Sequence, residues 1–410
     1  MRARVILSSL TLFAIAATAV GQTASVSVEA YEYRDFPINV QPPASPVPVP
    51  LQDGRWLLSY HLFLSNWAYT PVTLKEFQVL DARSKAVVLR YDERELSDRG
   101  GNGSRFPTVP QGRSLEAGRE RELEPGESAA IVAFAYFDSV DKIPPVLEHQ
   151  LIFAADPRIQ LRRESIQDSD RNFVVTCAPV QVRNEAPLVV GPPLRGGPWV
   201  CANGAVPGSA HMNFVIRDGQ ARLPQQFGFD FFKVDGDGNV MPHPVPDELT
   251  NEMFYCYLAD VIAVADGEVT ALKTDVATNV PQADGAVLTP ITRENGAGNL
   301  IGIRIGGDLY AFYAHLEPGS IRVTLGQKVK KGDVIAKVGN TGNATGPHLH
   351  FHVCDSNNLN GSQGQPYVFE RFELEGKQSD SRPRAAGAQR TVHTASLPED
   401  DCVVWFGAGG

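Results

Sequence analysis

The sequence predicts an all-β protein in two parts: an N-terminal β-sandwich, immunoglobulin-like, and then a domain built on antiparallel sheet. Three observations carry that expectation. Short apolar runs alternate with polar residues at period two in both halves, with turn signals between them. A proline- and glycine-rich stretch, Pro187 to Pro198, divides the chain. The chain has 410 residues, too many for one ordinary domain, and 43% of them are apolar, enough for two cores.

The N-terminus reads as an export signal over residues 1–21. Arg2 and Arg4 precede an apolar run from Val5 to Val20, and Ala17-Thr18-Ala19 and Ala19-Val20-Gly21 offer small-residue cleavage sites. The run is short for a membrane span and rich in alanine, so cleavage is expected rather than anchoring. The expected location is the periplasm or the extracellular space, with no membrane contact beyond export. The net charge of −10 argues against a nucleic-acid partner and leaves no polybasic membrane patch. An exported chain meets an oxidising compartment, where its five cysteines could pair. They form no C-x-x-C motif, and their connectivity is open.

Residues 24–186 form the expected sandwich. Gln41 to Leu51 is a proline-rich arm. Strands are expected at Trp56–Leu64, Val72–Leu80, Ala86–Tyr91, Ala129–Phe137 and Glu148–Ala154, with an exposed loop from Gly100 to Gly112. His61 and His149 stand alone and read as structural. Residues 187–198 are the linker.

The second domain spans residues 199–373. Asp230 lies between Phe229 and Phe231 on an expected strand, so it faces away from them and, if buried, needs a cation or hydrogen bonds. Val234 to Asn239 begins like a calcium loop, but Pro246 stands where that loop needs glutamate, so a tight turn is expected. Val261 to Leu272 is a hairpin through Asp266-Gly267. A second hairpin joins Asn299–Ile305 to Leu309–His315, placing His315 at a strand end and facing the same way as Tyr313. Gly326 to Gly339 holds two short strands, and Asn340 to Gly346 is a polar loop. It leads to Gly346-Pro347-His348-Leu349-His350-Phe351-His352-Val353, where three histidines alternate with apolar residues. Period two puts His348, His350 and His352 on one strand face, with neighbours roughly 6–7 Å apart. One such histidine can ligate a metal while the next stands beside its open position. Residues 374–410 are an expected tail, disordered or exposed from Lys377 to Ala395. It returns as an edge strand at Cys402–Phe406, with Cys354 a candidate partner for Cys402.

Tyr313-Ala314-His315-Leu316, Gly326 to Gly339, Thr341-Gly342 and Gly346 to Phe351, in this order and spacing, resemble the lysostaphin-type zinc endopeptidases, metallopeptidase family 23. The resemblance covers about residues 195 to 370. It implies an antiparallel sheet groove with zinc at its floor, and hydrolysis of peptide bonds in peptidoglycan stems or cross-links by zinc-activated water with histidine acid/base help. It makes His350 and Asp230 zinc ligands, and His348 and His315 catalytic. The remaining ligand is usually a histidine four residues before the aspartate, where this chain has Gln226; His211 is the natural substitute. His352, Gln226 and Tyr313 then stand behind the ligands or line the groove. A second reading is a catalytically inactive scaffold that binds or activates cell-wall hydrolases. Gln226 favours it, and the retention of His315, His348, His350 and Asp230 together opposes it.

Overall fold

The structure, a computed structural model, describes residues 37–97, 108–109, 121–154, 172–218, 220–379 and 389–407. The expected export signal lies outside them, as do nearly all of the loop expected at 100–112 and residues 380–388 of the tail. Strands are almost the only regular structure of the described chain, and among its residues no helix is long and apolar enough to cross a membrane. The described residues all fall within one compact unit.

Two five-stranded antiparallel sheets build the N-terminal part. In the first, Trp56–Asn66 lies between Ile38–Gln41 and Ser128–Phe137, with Thr108–Val109 beyond. In the second, Val146–Ala154 lies between Asn172–Gln181 and Val72–Asp81, followed by Val87–Tyr91. Their facing side chains share one core. Leu58, Tyr60, Leu62, Leu64, Ile131 and Ala133 enter it from the first sheet, and Leu74, Phe77, Val79, Leu151 and Phe153 from the second.

The other face of the first sheet is buried too. Leu57, Ala130, Val132 and Phe134 belong to the core of the C-terminal part, together with Phe214, Leu223 and Phe227. A strand covered on both faces reads as an unbroken apolar run rather than an alternating one. Ser-Ala-Ala-Ile-Val-Ala-Phe-Ala-Tyr-Phe over Ser128–Phe137 is such a run.

An eleven-stranded sheet organises the C-terminal part. Across it run Leu188–Val190, Tyr367–Lys377, Cys402–Phe406, Gly196–Ala202, Phe229–Lys233, Leu349–Cys354, Leu309–Leu316, Asn299–Gly306, Gly267–Lys273 and Lys328–Val329, with Thr391–Ser396 paired to Tyr367–Lys377. Cys402–Phe406 is therefore interior, not an edge strand: it pairs with Gly196–Ala202 on one side and Tyr367–Lys377 on the other. That order also separates Cys402 from Cys354 by two intervening strands. Cys402 stands opposite Cys201, and all five cysteines are free thiols. The expected turn after Val234 is present, with the Asp235 carboxylate accepting the Asp237 and Asn239 amides.

Candidate metal centre

Backbone register assembles the site. Ala202 pairs with Asp230, Asp230 with His350, and His350 with Ala314, a row crossing four adjacent strands. Directly opposed residues share a sheet face, so the carboxylate and imidazole stand side by side, flanked by two alanines that leave room above the sheet. On the opposite face Phe229, Phe231, Leu349, Phe351 and Val353 are fully buried. The alternation that puts them in the core puts Asp230 and His350 on the site face.

His211 arrives from the segment after Gly196–Ala202. Its Nε2 lies 3.3 Å from Asp230 Oδ2, and His350 Nδ1 lies 2.9 Å from Asp230 Oδ1. One donor atom from each of His211, Asp230 and His350 falls within 4.8 Å of the others. The second nitrogen of each ring is engaged elsewhere. His211 Nδ1–H donates to Gly228 O at 3.1 Å, and His350 Nε2 lies 2.8 Å from His352 Nδ1. Such outer contacts fix the ring orientation and the tautomer that presents a lone pair.

His348 and His315 stand beside this trio, their rings 4.7 Å apart between centroids. His348 Nε2 is 3.7 Å from Asp230 Oδ1, its Nδ1–H donates to Gly346 O, and Phe232 stacks on its ring at 5.0 Å. His315 Nδ1–H donates to Thr341 O at 2.7 Å. His315 has a left-handed backbone, φ 60°, and this breaks the strand alternation. Tyr313 therefore does not share its direction. Pairing with Phe351, Tyr313 goes into the core, where its hydroxyl accepts the Val264 amide, so it is not a groove residue.

Gln226 also lies away from the donors. Its Nε2 donates to Ser59 Oγ at 2.9 Å and its Oε1 accepts from Gln363 Nε2. It is thus a seam residue tying the first N-terminal sheet to the C-terminal part, and it neither supports a ligand nor lines the groove. His352 is fully buried beside His350 and Phe312, and its Nε2 has no partner among the described residues.

Burial dominates the electrostatics. It lowers the pKa of His315 to about 3, aided by His348 and His350. It also lowers His350 and takes His352 well below the usual range. His211 is the exception: burial opposes its charge, but the Asp230 carboxylate outweighs that and raises it. Burial alone would raise Asp230, yet His211 and His348 hold it well below the usual carboxylate range. A buried carboxylate needs a compensating cation. Among the described residues no lysine or arginine pairs with Asp230; its partners are imidazoles and the Asn203 amide. Two imidazole nitrogens and one carboxylate, buried together, fit a divalent metal of the zinc type.

Two residues at the site carried no expectation from sequence, Asn203 and Phe232. The Asn203-Gly204 dipeptide is a turn signal that could have marked the first. Phe232, two residues after Asp230 on the same strand, shares its face.

The signature of peptidase family M23 matches residues 255–365, a span that includes His315, His348 and His350 and starts after His211 and Asp230. An uncharacterized metalloprotease of Haemophilus influenzae is 42% identical over 76 residues, 18% of this chain and 16% of that protein. The DD-carboxypeptidase/endopeptidase Mpg of Neisseria meningitidis is 36% identical over 108 residues, 26% and 23% of the two chains. The peptidoglycan DD-endopeptidase ShyA of Vibrio cholerae is 44% identical over 71 residues, 17% and 16%. The matched segment thus spans less than a quarter of the length of each of these relatives. Among solved structures, the catalytic domain of the M23 protein EnpA from Enterococcus faecalis is 23% identical with a TM-score of 0.23, covering 42% of this chain and 91% of that one. Residues 255–365 thus carry a peptidase family M23 domain, a segment shared with relatives named metalloprotease and DD-endopeptidase.

Proposed function

We propose that the chain is an exported zinc endopeptidase that hydrolyses peptide bonds of peptidoglycan stems or cross-links. The observation that carries this reading is the gathering of His211, Asp230 and His350 donor atoms beside the His315–His348 pair. His211, Asp230 and His350 would hold the metal, His211 standing where relatives use a histidine nearer the aspartate. Zinc bound there supplies Lewis acidity, polarising a carbonyl and making water acidic enough to deprotonate near neutral pH. His315 and His348 each anchor Nδ1–H on a backbone carbonyl, which leaves both Nε2 atoms for proton work. Burial keeps His315 neutral, with the Nε2 lone pair unprotonated. In this reading one of the two takes the proton of the attacking water at Nε2 and returns that same proton to the leaving amine, while the other stands beside the reacting carbonyl and orients it. The N-terminal part, residues 24–186, is read as positioning the catalytic half or contacting the wall.

The test is the zinc content of the purified chain and its release of peptides from cross-linked peptidoglycan, alongside His350→Ala and His211→Ala. About one zinc per chain, lost in both variants together with hydrolysis, supports the enzyme and the His211 ligand. Loss in His350→Ala alone removes His211 from the ligand set. A chain that takes up no zinc leaves the scaffold reading.

A further inference from the structure

Asn203 follows the last residue of Gly196–Ala202 and takes a left-handed backbone, φ 58°. Its side-chain Nδ2 donates to Asp230 Oδ2 at 2.7 Å. Its carbonyl accepts from Ser209 Oγ at 2.7 Å, and the same Ser209 Oγ accepts the His211 amide at 3.2 Å. One residue thus touches one candidate ligand directly and is linked to another through a single hydroxyl. The corner is itself fixed. The Gly204 amide donates to Asp400 Oδ1 at 2.9 Å, and a side chain at Gly204 would meet the Phe229 ring at 2.7 Å. Asp400 precedes Cys402–Phe406, so the C-terminal strand holds the corner in place.

We infer that Asn203 is a positioning residue of the metal centre. Its amide fixes the rotation of the Asp230 carboxylate, and its carbonyl, through Ser209, sets where His211 enters. The inference rests on the metallopeptidase reading and adds to it a residue outside the ligand set and upstream of the matched family segment. Carboxylates that bind metals are held by hydrogen bonds of this kind, and loss of such a partner weakens binding about 10- to 100-fold. No neighbouring lysine or arginine among the described residues could take over the role of the amide at Asp230.

The decisive variant is Asn203→Gly. Glycine keeps the left-handed backbone and the carbonyl to Ser209, so only the amide is removed. Ser209→Ala is the companion, cutting the branch to His211. Metal affinity is measured on the full chain by chelator competition with zinc, and the visible spectrum is recorded with cobalt in its place. The metal-free melting temperature of each variant reports on folding separately. The expected result is zinc binding weaker by about 10- to 100-fold in both variants, a changed cobalt spectrum, and metal-free melting within about 2 °C of the parent for Asn203→Gly. Affinity within twofold of the parent and an unaltered cobalt spectrum in a folded Asn203→Gly overturn the inference and leave the metallopeptidase reading standing. A parent chain that binds neither zinc nor cobalt overturns both. If Asn203→Gly does not fold, a folded Ser209→Ala with parental affinity and spectrum overturns the inference by itself.

Discussion

Phe134→Ala tests whether the two halves unfold as one body. Phe134 lies on the first N-terminal sheet, is 3% exposed, and belongs to the core of the C-terminal part. Replacing the ring by a methyl group removes roughly 150 Å² of apolar contact. At about 25 cal/mol per Å² that is ~4 kcal/mol, inside the range of about 3–5 kcal/mol for such truncations. Unfolding entropy is about 2.1 cal/mol/K per residue, so the unit Phe36–Gly410 loses ~0.8 kcal/mol per degree and its melting point drops by about 5 °C. Differential scanning calorimetry is the assay. The expected trace is a single transition displaced downward as a whole. Two separate transitions, only one of them moved, would refute the reasoning, because a sheet buried on both faces cannot lose one cover and keep the other intact.

Other perturbations have equally definite outcomes. Burial lowers the pKa of His149 from its ordinary 6.5 to about 4. The unfolded chain therefore takes up that proton first as pH falls: stability is full above about pH 6.5 and lost towards pH 4, by ~3 kcal/mol in all. Denaturant titrations at pH 7 and pH 4.5 should show a clearly shallower loss in His149→Gln, and parallel losses would remove His149 as the cause. Gly204→Ala should cost about 1–3 kcal/mol in urea unfolding, since the added methyl meets the Phe229 ring; parental stability would count against the corner's rigidity. Cys201, Cys256, Cys354 and Cys402 are buried and Cys177 half-buried. Mass spectrometry after brief alkylation should find label on Cys177 alone in the native chain and on all five in denaturant. Native label on Cys201 or Cys402 would contradict the packing of the C-terminal strand.

Much of this fold was legible because strand periodicity is local. Trp56–Asn66, Val72–Asp81 and Val146–Ala154 declare themselves through alternation, and the histidine strand through three imidazoles on one face. What failed was whatever depends on distant pairing or on one dihedral angle. Cys402–Phe406 looks peripheral by position in the chain, yet its apolar residues are claimed by strands on both sides. Period two gives Tyr313 the direction of His315, and the left-handed turn at His315 cancels that rule. Gln226 stands where the resemblance expects a ligand but answers to Ser59, 167 residues earlier, a partner no local pattern shows. His211 was reachable only through resemblance, since no spacing rule links it to Asp230.

The register that joins Asp230 to His350 has a consequence for quality control. A slip of one residue between Phe229–Lys233 and Leu349–Cys354 would turn every side chain to the opposite face. Leu349 or Phe351 would then stand where His350 belongs, and the carboxylate would face hydrocarbon. A misregistered chain has no donor set at all, rather than a weakened one. For the metal centre proposed above, loading would therefore serve as a proofreading signal: a chain that retains the ion through stringent washing has its central strands in the right pairing.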